Sequence, residues 1–187
     1  MERALSRRRQ RGAALFIVVV LFLILLPLGL MSIFERSLQN NRFAQSALWR
    51  SQARDAANQT MVQLRSAVAN SIGTNGLLEY QANPPAWFVN QASNVNPVSV
   101  GFWQKCADAH LCQQSQVQLN NGMGRQTFTV RKLVLPTGVL DPTLCNAQDN
   151  VAVFYTLWVQ AVASGNPSAD AEASTIQSVY RACVIQR

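Results

Sequence analysis

A chain of 187 residues, 49% of them hydrophobic, has room for one modest domain and an appended segment, so one folded unit is the default expectation. Its net charge of +7 is not spread as a nucleic-acid partner would require: Arg3, Arg7, Arg8, Arg9 and Arg11 against Glu2 place four of those seven charges before residue 12. The later cations Lys105, Arg125, Arg131, Lys132, Arg181 and Arg187 are dispersed, so no nucleic-acid partner is expected.

The first element follows the basic cluster directly. From Gly12 to Phe34 there are 23 consecutive residues without a charge, apolar throughout except for Gly12, Pro27, Gly29 and Ser32. As a helix rising about 1.5 Å per residue this run spans roughly 30 Å, the thickness of a bilayer's hydrocarbon core. A cleavable secretory signal has a shorter apolar core of about 7 to 15 residues and a small-x-small cleavage site, and neither is found here. Arginines before the run and mixed charge after it (Glu35, Arg36, Arg42) predict a cytoplasmic N-terminus with the remainder outside. Pro27 removes a helical hydrogen bond and Gly29 loosens the same turn, so this pair marks a kink.

Residues 35 to 72 contain neither proline nor glycine, and apolar or small residues recur, mostly three or four apart, at Leu38, Ala44, Ala47, Leu48, Ala56, Ala57, Met61, Leu64, Val68 and Ile72. This predicts that the helix continues as an amphipathic one over 35–73, stopped by Gly73-Thr74-Asn75-Gly76. The whole helix, 13–72, would measure about 90 Å.

Residues 74–187 form the predicted head. Asn, Pro and Gly dominate 74–104, and Pro84, Pro85 and Pro97 argue for an irregular connection. Strands are predicted at Gln116–Leu119, Gln126–Leu135, Val151–Ala163 and Ala173–Val184, with turns at Asn120–Gly124 and at Gly165, Asn166 and Pro167. The fold class is therefore α+β, an antiparallel sheet against the amphipathic half of a long helix.

Cys106, Cys112, Cys145 and Cys183 follow an export-like segment and predict two disulfides. Three pairings are open; the short local loop favours Cys106 with Cys112, leaving Cys145 with Cys183. The alternative for Cys106 to Cys112, a metal site with Asp108 and His110, lacks the usual C-x2-C spacing, so no metal is expected. With one histidine and no hydrolase, phosphate-loop or dinucleotide motif, neither enzyme activity nor a cofactor is expected. Trp49, Trp87, Trp103 and Trp158 are candidates for a partner surface or for core, with core favoured for Trp158 in its apolar strand.

A basic leader ending in glycine (RQRG), an immediate apolar run (AALFIVVV), an amphipathic helix and a small disulfide-bearing head resemble a type IV prepilin. The resemblance implies the family's ladle, a long helix carrying a small sheet. It also implies that a prepilin peptidase removes residues 1–12 by cutting between Gly12 and Ala13, so that 13–34 serves first as a transmembrane helix and then as fibre core. Most pilins carry glutamate at the fifth mature position, where it is thought to meet the amine of the subunit ahead; this chain has Ile17. A buried ion is costly unless paired, so a subunit with nothing ahead of it is better served by an apolar residue.

The start AAL with an aliphatic fifth residue is similar to PilX-type minor pilins. So are YTLWVQAVASG from Tyr155 and ASTIQSVYRACV from Ala173, which resemble the terminal hairpin of that group. The resemblance implies a minor pilin that helps initiate a type IV pilus at or near its tip. Its partners would be other minor pilins, the major pilin, the prepilin peptidase, the inner-membrane assembly platform and a tip adhesin. The chain would reside in the bacterial inner membrane, head periplasmic, before entering the extracellular pilus. Two alternatives stand beside this: a K-type pseudopilin of type II secretion, and a permanently anchored adhesion or receptor module.

Overall fold

The computed structural model describes residues 2–90, 95–121, 124–145, 150–164 and 173–185; the side chains of 2–15, 27–34, 121 and 124 are outside that description. The turn at Gly165, Asn166 and Pro167 and the C-terminal Arg187 lie outside the described residues, as does the centre of the turn following Asn120. The elements are a long helix α1 (Glu2–Asn75), a short helix α2 (Val100–Lys105), and strands β1 (Gln113–Asn121), β2 (Gly124–Asp141), β3 (Asn150–Ala163) and β4 (Ser174–Ile185). The chain divides into two compact units, Met1–Ala47 and Leu48–Arg187, and α1 contributes to both.

In the first unit the described side chains from Phe16 to Leu26 are all exposed, as are Leu38 and Phe43. Among the described residues no helix is long and apolar enough to cross a membrane. Of the uncharged run only 16–26 has described side chains, so the span expected over 13–34 is covered in part.

The second unit is α+β: residues of α1 from Leu48 onward pack on a four-stranded antiparallel sheet in the order β1-β2-β3-β4. The helical spacing of three and four places Ala53, Ala56, Ala57, Met61, Leu64 and Val68 on one buried stripe. Small residues occupy the first part of that stripe, where the large Trp49 and Phe128 rings meet at 6.3 Å. Larger ones follow, and each buried Leu or Val there contributes about 1.5–3 kcal/mol.

Period-two alternation supplies the sheet's half of this core. Val153, Tyr155, Leu157, Val159 and Ala161 of β3 face α1, alongside Phe128, Val130 and Val134 of β2 and Ala182 of β4. Registers such as Val134 opposite Leu157 and Tyr155 opposite Tyr180 keep each set on one face.

The helix ends at Asn75, two residues beyond 73 and within the expected stop cluster. Gly73 is helical, and Gly76 adopts the left-handed conformation (φ 77°) while its N–H donates to the Ile72 carbonyl at 3.0 Å, the αL termination. Gln81 then folds back: its amide nitrogen donates to the carbonyls of Gly76 (2.8 Å) and Ser71 (3.3 Å), and its oxygen accepts from the Ser71 hydroxyl at 3.1 Å. The Gly76 carbonyl, which the end of the helix leaves without a helical partner, is thereby satisfied. The adjacent 3-10 turn Leu78–Tyr80 buries Leu78 and presents Glu79 to Tyr155, whose hydroxyl donates to the carboxylate at 2.7 Å.

The connection over 74–104 is less irregular than its Pro and Asn content predicts. It contains that 3-10 turn and α2, which lays Trp103 on the opposite face of the sheet. There Trp103, Cys106, Cys112, Leu133 and Leu135 make a second small core, with Trp158 half-buried against it. The Trp103 indole N–H donates to the Pro97 carbonyl at 2.7 Å, which removes the penalty of burying it. β1 covers β2 only as far as Lys132; beyond it the Trp87–Val89 segment bridges Val134 through N–H to carbonyl bonds of 2.7 and 3.0 Å.

Candidate functional site

Two regions carry features that packing of the second unit does not account for. The first is the start of α1. Gly12, Ala13, Pro27 and Gly29 all fall within the helix, and their side chains lie outside the described residues. Ile17 is described and 58% exposed, within a set of apolar side chains at every angular position from Phe16 to Leu26. An all-round apolar helix needs cover that its own unit does not provide over these residues.

The second region is the face of the sheet turned away from α1. Directly opposed residues share a face, so Gln114, Gln116, Gln118 and Asn120 of β1 stand beside Arg131, Thr129, Thr127 and Arg125 of β2 on this outer side. Arg131 donates through Nε to the Gln114 side-chain oxygen at 3.0 Å and through Nη1 to the Gln160 side-chain oxygen at 3.2 Å. Thr129 and Ser164 join their hydroxyls at 2.9 Å. Lys132 points the other way, toward α1, and partial burial there holds its ammonium pKa below the ordinary lysine value. Arg181, opposite Phe154 on β4, is exposed on the outer side. The cations thus occupy different strands and both faces rather than one stripe.

Across this outer face, between the segment leading into α2 and the β3–β4 hairpin, runs a cleft of about 360 Å³ lined by Pro97, Trp103, Trp158, Gln160, Thr175 and Gln177 among others. A smaller, apolar cleft of about 220 Å³ lies where α1 ends, among Leu77, Tyr80, Leu140, Val153, Val184 and Ile185.

Of the three cysteine pairings open in the sequence, the structure has Cys106–Cys112 and Cys145–Cys183, with Cα separations of 5.3 and 5.9 Å. Cys106 and Cys112 are bonded to each other and buried, so neither offers a thiolate to a metal; Asp108 and His110 are exposed on the loop they close. His110 takes a positive φ of 55° at the tip of that loop.

The tryptophans divide differently from the expectation. Trp87 and Trp103 are buried, Trp49 is half-buried against Phe128, and Trp158, expected in the core, is half-buried on the outer face. Strand parity is the reason: Leu157 and Val159 take the face toward α1, which turns Trp158 outward. Gln160, Thr175 and Gln177 are not among the site residues expected from the sequence. The one available signal was a glutamine inside VAVFYTLWVQAVA, an otherwise apolar strand.

Comparison with known proteins found no matching family model, no matching curated protein and no matching solved structure.

Proposed function

We propose that this chain is a minor-pilin-like assembly subunit of the PilX type, built as a ladle whose helix serves first as membrane anchor and then as fibre core. The observation that carries this reading is the start of α1: apolar side chains exposed all round from Phe16 to Leu26, directly after the arginine cluster and Gly12. Such a segment is stable only when a bilayer or equivalent apolar helices cover it. The α+β head, with α1 packed on a four-stranded antiparallel sheet and two disulfides, is compatible with the same reading.

In this scheme the chain inserts in the inner membrane with its head outside. The prepilin peptidase removes residues 1–12, and Ala13 to Phe34 packs against other minor pilins and the major pilin at the assembly platform. Ile17 in place of a charge suits a subunit that initiates the fibre, at or near the tip and beneath any adhesin. The role is mechanical rather than enzymatic and calls for no cofactor.

N-terminal sequencing of the chain recovered from expressing cells tests this. A mature start at Ala13, lost when Gly12 is replaced, is the expected result. Retention of Arg3 to Arg11 in the functional protein overturns it in favour of a permanently anchored adhesion or receptor module. A processed chain recovered with secretion pseudopilins rather than pilins assigns it to the K-type alternative.

A further inference from the structure

The outer-face cleft is not explained by helix packing, and its chemistry is specific. Gln160 is 4% exposed, yet its side chain lines the cleft. A buried amide is stable only when both ends find partners, and the structure shows which end is committed. Arginine can only donate, so the Arg131 contact at 3.2 Å requires the oxygen of Gln160 to face the guanidinium. The NH2 end is then the one left for the cleft. Arg131 is itself braced by Gln114 on its other side, so the orientation of Gln160 is fixed rather than averaged.

The remaining lining is polar on one side, the hydroxyl of Thr175 and the amide of Gln177, and apolar on the other, Trp158 with Pro97, Val98 and Val100 and the buried Trp103. Among the described residues no ionised side chain lines the cleft, so these residues offer no counter-charge for a phosphate, a carboxylate or a cation. The side chains that line it from β3 and β4 stand on one face of the sheet. The about 360 Å³ it encloses falls within the roughly 300–1,000 Å³ of small-molecule clefts.

We infer that this cleft binds a neutral pyranose ring of a glycan. A pyranose has an apolar C–H face and a rim of hydroxyls, each both donor and acceptor. The indole of Trp158 offers a flat apolar wall to the first. The oriented Gln160 NH2, Gln177 and Thr175 meet the second. Arg131 acts as a positioning residue: it touches Gln160 and not the sugar.

The test is titration of the full-length chain, held in a zwitterionic detergent without a sugar headgroup, with cellotetraose and with chitotetraose, read by tryptophan fluorescence. The expected result is a saturable change with at least one of the two, with Kd below about 1 mM. Gln177→Ala should weaken it by about tenfold, the loss of one hydrogen bond. Arg131→Lys keeps a donor against Gln160 and should retain most of the affinity. Arg131→Glu turns the amide round and should lose about tenfold with the urea midpoint kept within the experimental scatter. Absence of a saturable change with both oligosaccharides overturns the inference. So does equal affinity across the unaltered, Gln177→Ala and Arg131→Glu chains.

Discussion

Replacing Cys145 and Cys183 together by alanine isolates a single term in the stability of the head. The bond joins residues 38 apart and ties the segment after β2 to the last strand, across the intervening β3. Neither side chain belongs to either hydrophobic core: Cys145 is half-buried and Cys183 exposed. Little packing is lost, and the effect falls almost wholly on the unfolded chain. The loop-closure relation gives about 4 kcal/mol for a loop of this length, against about 2 kcal/mol for the six-residue separation of Cys106 and Cys112. All four tryptophans lie beyond residue 48, so fluorescence during urea unfolding reports on the second unit. With a slope of about 2 kcal/mol per molar, the midpoint should fall by about 2 M. A loss below about 1 kcal/mol would refute the reasoning, since it would mean the unfolded chain is not the state the bond constrains.

Gly73→Ala should stabilise by about 0.5–1 kcal/mol, because the residue is helical and an added Cβ meets nothing within 4 Å. Gly76→Ala should destabilise by about 1 kcal/mol although its surroundings are equally open, because its φ is +77°; urea midpoints moving in the same direction would refute the assignment of the helix stop. Tyr155→Phe should cost about 1–2 kcal/mol at neutral pH through the lost bond to Glu79, measured by the same unfolding curve. Burial, then the Glu79 hydrogen bond and charge, raise the Tyr155 pKa, so the folded chain keeps a proton that the unfolded chain releases above about pH 10. Its stabilising contribution is full below that pH and falls as pH rises, so the gap between parent and Tyr155→Phe should narrow above pH 10. Ile17→Glu should leave the head's unfolding curve unchanged while impairing fibre initiation, counted as surface filaments on cells carrying the variant.

The strands were legible from two signals, alternation in Gln126–Leu135 and a long apolar run in Val151–Ala163. Val151–Ala163 as read differs from β3 by one residue, and the predicted Gln126–Leu135 falls wholly inside β2. What alternation could not convey is which face an outward residue meets. The apolar neighbours of Trp158 predict core, and it does pack on one, but half-buried and on the outer face: β3 is covered on both faces, by α1 on one and by the Trp103 cluster on the other. That second cover is made by α2, six residues held by Trp103 rather than by any helical period. The stop of α1 was placed at the right cluster but the wrong glycine, since composition does not say which of Gly73 and Gly76 takes the positive φ. The cleft was invisible for a stronger reason: Trp158, Gln160, Thr175 and Gln177 become neighbours only through strand register.

The clamp at the end of α1 has a consequence for force. Within the second unit, Trp49 on Phe128 secures one end of the helix, while Gln81 on Ser71 and Gly76, together with Glu79 on Tyr155, secures the other. A pull along the helix loads the stripe between these points in shear, so Ala56, Leu64 and Val68 must slip together rather than peel singly. The bonds at Gln81 and Glu79 then act as a backstop beyond the last turn. Under sliding load the second unit is built to yield late and all at once.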